Sequence, residues 1–174
     1  IIQQRVSHLS RPSGIDEANL IRIQNQWVGQ SDTDYASLIA TDLATLRRVP
    51  GVVNAYATNS VPLSNGGWST GVYLEPVKPD QGKSTAQTAL YFVDNHTMET
   101  LGLKLVAGRN FRPSEVSEFI PRSKAQPPLV MVTRDLADKL YPSGNAVGKP
   151  LYTIDKPSTI IGVVERMQVP WVGG

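Results

Sequence analysis

Gly67-Trp68-Ser69-Thr70-Gly71 fits G-x-S-x-G, the turn that exposes a nucleophilic serine in α/β-hydrolases. That turn needs a strand before the serine and a helix after it, so that Oγ is lifted towards a histidine and an oxyanion hole. Here the loop Asn65-Gly66-Gly67 precedes Ser69, and the residues after it alternate like a strand. The one downstream histidine, His96, comes too soon to leave room for the intervening sheet and acid loop. The context predicts a glycine-rich turn opening a strand.

A second stretch, Gly144-Asn145-Ala146-Val147-Gly148-Lys149-Pro150, has the look of a phosphate-binding loop. Such a loop places four residues between its glycines and a Ser or Thr after the lysine. This chain has three residues there, and Pro150 takes the hydroxyl position. The loop also comes after a helix and before a strand, the reverse of the required order. It is read as a turn that brings Lys149 to the surface. His96 and Glu99 are three apart and share a face of a short helix, but two ligands do not make a metal site, and His8 is remote in sequence. Asp and Glu are spread singly, mostly where helix capping accounts for them. Asn95-His96-Thr97 fits a glycosylation acceptor, and helix capping by Asn95 accounts for it equally. Trp27, Trp68, Trp171, Tyr73 and Tyr91 can line a ligand groove or pack into core and rim; their spacing forces neither. The residues thus predict no catalytic, cofactor or metal site. Arg109, Lys149 and Trp171 are the candidates for contact with a partner.

The bulk composition sets bounds around these residues. With 174 residues, the chain is one domain or two small lobes. Its 40% apolar and 18% charged residues are near globular averages, which excludes disorder by composition. The net charge of +2 comes from scattered Lys and Arg with no basic run, so no nucleic-acid partner is predicted. There is no cysteine, which removes disulfides, thiol catalysis and Cys-ligated zinc. No stretch approaches the roughly 18 consecutive apolar residues of a membrane span. The chain starts at Ile1-Ile2 with no leader pattern and stops at Gly173-Gly174, and is expected to be an excised piece of a longer polypeptide.

Ile2, Val6 and Leu9 are spaced like one helical face, which Pro12 and Gly14 end. Residues 20–28 alternate in part and predict a strand. Tyr35, Leu38, Ile39, Leu43 and Leu46 form one stripe of a helix over 34–48, with Thr33 as N-cap and Pro50-Gly51 as its stop. A strand over 52–58 completes a β-α-β unit. Strands over 69–77 and 86–93 are expected to pair as a hairpin. Asn95 is expected to cap a short helix that Gly102 closes, with a strand over 103–106 after it. Residues 112–127 read as an exposed excursion. A strand over 129–132, a helix capped by Thr133 and ending near Tyr141, and strands over 150–154 and 159–165 finish the pattern.

Several fragments then fall in a fixed order. Gly102-Leu103-Lys104-Leu105 leads to Gly108-Arg109-Asn110-Phe111. Val130-Met131-Val132-Thr133 runs into Leu136-Ala137-Asp138-Lys139-Leu140-Tyr141-Pro142, and Gly148-Lys149-Pro150-Leu151 precedes Ile160-Ile161-Gly162-Val163-Val164. This order resembles the extracytoplasmic core domain of MacB-like (FtsX-superfamily) ABC transporter permeases. In the first half, Val49-Pro50-Gly51-Val52 and Phe92-Val93-Asp94-Asn95 resemble steps of the same family. The chain departs from it where Pro113-Ser114-Glu115, in a longer stretch reaching Pro127, displaces the acidic residue usual after "GR.F". Asn145-Ala146 replaces "dp", and Tyr141 stands for a common Phe.

The resemblance implies an α+β, two-lobed mixed domain: a lobe like the β-α-β porter units of efflux pumps, and a smaller mixed α/β lobe. It implies residues 1–14 as a stalk segment from a preceding transmembrane helix and 15–174 as the core domain. Within the core, 15–102 would be the porter-like lobe, 103–166 the smaller lobe and 167–174 the return segment. It implies a place on the periplasmic side of the bacterial inner membrane, a dimer with a second permease subunit, and an ABC ATP-binding protein reached through the transmembrane part. A periplasmic adaptor or substrate protein is a further implied partner. The implied role is non-catalytic, without cofactors: transmission of ATP-driven change outward for efflux, for macrolide- or peptide-type export or for lipoprotein handling. The alternative from the residues is a free-standing periplasmic module that binds a small ligand through the Trp/Tyr set.

Overall fold

Thr159-Ile160-Ile161 and Val163-Val164 concentrate β-branched residues, which suit a pleated, buried surface, and they become the strand on which the larger sheet is built. The computed structural model describes residues 12–25, 34–76, 83–118, 126–153 and 156–171. Among these the elements run α1 (Tyr35–Leu46), β1 (Trp68–Val72), β2 (Ala86–Leu90), α2 (Thr97–Leu101), β3 (Leu105–Gly108), β4 (Leu129–Thr133), α3 (Arg134–Leu140), β5 (Pro150–Tyr152) and β6 (Pro157–Val164). Single 3-10 turns lie at Glu17–Asn19 and Pro113–Glu115. The mixed α+β architecture expected from the sequence is present, as two sheets with few helices.

In the larger sheet β6 pairs with β4 in parallel, with β3 antiparallel on its other side, and with β5 antiparallel through its first residues. β4, α3 and β6 thus form a β-α-β crossover, the connection that a parallel pair requires. Ile160, Ile161, Val163 and Val164 are all buried, so β6 is covered on both faces. β1 and β2 form the expected hairpin, from Trp68↔Leu90 to Val72↔Ala86. A bridge between Tyr73 and Tyr152, with N–O distances of 2.8 and 2.9 Å, links the hairpin to β5. Val72 and Ala86 lie in one apolar cluster with Val132, Ala137, Leu140, Ala146, Leu151, Ile160 and Val163. The hairpin therefore shares its core with residues from the other side of position 102.

Several boundaries moved, each for a local reason. α1 is capped by Asp34, not Thr33, which lies outside the described residues. Asp34 accepts from Ser37 N at 3.1 Å and from Ser37 Oγ at 2.6 Å, and the Ser37 hydroxyl holds its carboxyl below the usual range. At α2 the N-cap position falls to His96, which makes no side-chain cap bond, and the side chain that holds the entry is Asp94, not Asn95: its Oδ1 accepts from His96 N at 2.8 Å and from Thr97 Oγ1 at 3.1 Å. Gly102 closes α2 at φ +66°, and Leu103 N is held by Met98 O at 2.9 Å, so β3 starts later than position 103. β2 stops at Leu90 because Asn59 intervenes: its Nδ2 donates to Leu90 O at 2.9 Å and its Oδ1 accepts from Phe92 N at 2.7 Å.

The strands expected over 20–28 and 52–58 form no ladder among the described residues. Around 54–55 the backbone is taken by side chains instead. Arg47 Nε donates to Ala55 O at 3.0 Å, and Ala55 N donates to Asn54 Oδ1 at 2.9 Å. Ile21 and Val53 are left 89% and 81% exposed, and no residue of α1 is buried. The stripe Ile2-Val6-Leu9 lies outside the described residues.

Candidate functional site

Ser69 sits within β1, exposed and opposite Ala89, in a strand rather than at a strand-to-helix elbow. His96 and Glu99 do share a face, and Asn54 joins them: its Nδ2 lies 3.0 Å from His96 Nδ1 and 2.6 Å from Glu99 Oε2. Asn54 Oδ1 is in turn fixed by Arg47 Nε at 3.0 Å, and Arg47 reaches Asp94 at 3.6 Å. This network ties the end of α1 to the start of α2. The described members of the aromatic set have separate partners. Trp68 packs edge-on against Phe92 with centroids 5.3 Å apart, Tyr73 bridges to Tyr152, and Tyr91 donates to Gln168 O. Trp27 lies outside the described residues.

Arg109, expected at a partner contact, is held by Glu115. Its two terminal nitrogens each lie 2.7 Å from a carboxylate oxygen, a bidentate pair. Arg112 N adds a third bond to Glu115 at 2.9 Å. The displaced acid of Pro113-Ser114-Glu115 is thus the residue that closes on this arginine, brought round by the 3-10 turn. The Arg109 guanidinium, with the Arg112 amide second, pulls the Glu115 carboxyl from an ordinary 4.5 down to about 2. A carboxylate depressed in the folded state contributes its stability above its unfolded pKa and loses it as pH falls through the folded one. Glu115→Gln should therefore melt below the parent protein at pH 7, and the gap should close between pH 4.5 and about 2. Thermal melts across that range check it; a gap unchanged at low pH would show that the ion pair is not its source.

Lys149 stands exposed in a tight turn just after Gly148, which has φ +82°. Its amide donates to Ala146 O at 3.1 Å, and its carbonyl accepts from Ile160 N at 3.0 Å, so the turn is fixed to β6 while the ammonium stays in solvent. Trp171 is half-buried and comes directly after Pro170, which is fully buried.

Sequence reasoning missed the surroundings of Trp171. The incoming segment at 13–16 and the outgoing segment at 166–171 run against each other. Gln168 N donates to Ser13 O at 2.8 Å. Gly14 has φ +86°, and a Cβ there would overlap the Arg166 carbonyl oxygen. Asp16 N donates to Leu101 O at 2.8 Å, which anchors the incoming segment on α2. On the other side the outgoing segment is held by the loop at 61–67: Leu63 N donates to Val169 O at 3.2 Å and Asn65 N to Pro170 O at 2.9 Å. Tyr91 Oη closes the group with a 2.7 Å bond to Gln168 O, and burial pushes this phenol up, so it remains a donor. The signals in the sequence were Gly14, Gly67 and Pro170, small or rigid residues at points of close approach. Arg109, Lys149 and Trp171 are not brought to one place by any of these contacts.

The family model described as the MacB-like periplasmic core domain matches residues 3–173. Two solved structures are similar to the chain. One is the periplasmic region of MacB from Actinobacillus actinomycetemcomitans, 20% identical over 72% of this chain and 49% of that one, with a TM-score of 0.43. The other is the extracellular domain of the noncanonic ABC-type transporter YknZ from Gram-positive bacteria, 19% identical over 72% of this chain and 56% of that one, with a TM-score of 0.46. The chain thus covers about half the length of each. No curated protein matches it. With all but its outermost residues matched, the chain belongs to the family of MacB-like periplasmic core domains.

Proposed function

We propose that this domain is the extracytoplasmic part of an ABC transporter permease subunit, and that it carries movement rather than chemistry. A separate ATP-binding protein supplies the energy through the transmembrane part, and a second permease subunit completes a dimer. The domain passes the resulting displacement to a periplasmic substrate or adaptor, in efflux, macrolide- or peptide-type export, or lipoprotein handling. Residues 1–14 then continue a membrane helix outward, and 167–174 lead back. Arg109, Lys149 and Trp171 remain the surface residues proposed for partner contact.

The observation that supports this reading best is the bond from Gln168 N to Ser13 O. A domain inserted between two membrane spans must release both its ends towards one bilayer, and segments that touch can do so. The absence of cysteine in the chain makes a direct test available. Ser143 is exposed in the turn after α3. In the full-length protein, with any other cysteines removed, Ser143→Cys should react with a membrane-impermeant maleimide in intact cells. Labelling only after the inner membrane is broken would overturn the placement.

A further inference from the structure

We propose that the outgoing segment at 166–171 is a latch that opens as one unit while the larger sheet stays folded. The purpose assigned to it, sensing a pull from the membrane, rests on the proposed function; its opening is a property of the domain itself.

β6 is held by ladders on both sides up to Val164, and the last link of this kind is Glu165 N to Lys104 O at 2.8 Å. Beyond it the chain leaves the sheet. Four hydrogen bonds to separate places then hold the outgoing segment, through Ser13 O, Tyr91 Oη, Leu63 N and Asn65 N. One plug completes the attachment. Pro170 is buried against Gly67 so closely that a Cβ on Gly67 would lie 2.6 Å from Pro170 Cγ and 3.0 Å from Ser60 Oγ. Proline suits a plug, since it has no N–H to leave unpaired. The socket is itself fixed: the Ser60 hydroxyl bonds Gly66 O and faces Ser64 Oγ at 3.2 Å.

None of these residues belongs to the apolar cluster shared by the hairpin and the larger sheet. A segment with few buried apolar contacts can open without unfolding the rest. The latch is also well placed to transmit. Gly67 directly precedes Trp68 at the start of β1, and Tyr91 directly precedes Phe92 just after β2. Trp68 and Phe92 pack together, so release of Pro170 and Gln168 acts on both strands of the hairpin at once.

Amide exchange in the native 174-residue chain tests this. The amides of Leu63, Asn65 and Gln168 should exchange at a common opening rate, faster than those of β4 and β6. Gly67→Ala, which forces out the Pro170 ring, should lower their protection about tenfold or more and leave β4 and β6 unchanged. Tyr91→Phe removes one bond without a clash and should lower the protection of the same three amides by a smaller factor. Equal loss of protection in β6, or no loss at Leu63, Asn65 and Gln168 in either variant, would overturn the latch. The labelling test of Ser143→Cys can fail without affecting this result, and the reverse also holds.

Discussion

Gly108→Ala is expected to lower the melting temperature of the domain by about 6–12 °C, the equivalent of about 3 kcal/mol in a chain of this length. Two costs add. Gly108 has φ +73°, a conformation that costs a residue with a Cβ about 1–2 kcal/mol. The added carbon would also overlap the Ile161 carbonyl oxygen and lie 2.9 Å from Gly162 Cα. Both atoms belong to the backbone of the central strand, so neither can swing aside as a side chain would. Relief requires parting β3 from β6 at the Gly108–Gly162 pair, just beyond the register shift between Leu105 and Ala107. Arg109 N donates to Ile161 O at 2.9 Å at the same point, so the Arg109–Glu115 pair would be displaced too. Gly51→Ala is the control. Gly51 has φ +89° but nothing within 4 Å of a Cβ, so only the conformational cost applies. Equal melting shifts in the two variants would remove the close approach of β3 and β6 as the cause.

How much was legible in the sequence depends on how local each cause is. Thr133 caps α3 by accepting from Leu136 N at 3.4 Å, and Gly102 closes α2, as their types announced. The apolar run at β6 announced a strand, and the alternation around Val72 one arm of a hairpin. The strands expected at 20–28 and 52–58 depended on partners that no local pattern specifies. Arg47 and Asn54 decided part of the second stretch by claiming the Ala55 carbonyl and amide with their side chains, and nothing in a hydropathy period reveals that choice. The Arg109–Glu115 pair escaped for a similar reason: six positions apart is not a helical spacing, and only the 3-10 turn brings the two together. The meeting of Ser13 with Gln168 depends on the whole topology. Its markers, Gly14 and Pro170, read in sequence as punctuation.

Leu140→Ala is expected to cost about 3–4 kcal/mol and to bring the hairpin and the larger sheet down in a single transition. Leu140 is 2% exposed at the end of α3. It lies in one cluster with Val72 of β1, Ala86 of β2, Val132 of β4, and Ile160 and Val163 of β6. The cavity left by truncation therefore borders both sheets. Unfolding monitored by circular dichroism and by fluorescence, in a background where Trp68 is the remaining tryptophan, should give coincident midpoints. A midpoint for Trp68 that stays at its parent value while circular dichroism shifts would show two cores. Leu38→Ala on α1 sets the scale. That side chain is 38% exposed and outside the cluster, so its loss should cost under about 1 kcal/mol. One shared core gives the hairpin a fixed root at Val72 and Ala86, while its other end, at Trp68 and Leu90, is gripped through Gly67 and Tyr91 by the outgoing segment. A displacement entering at Pro170 then meets a strand pair clamped at its far end, which favours bending of the hairpin over loss of the fold.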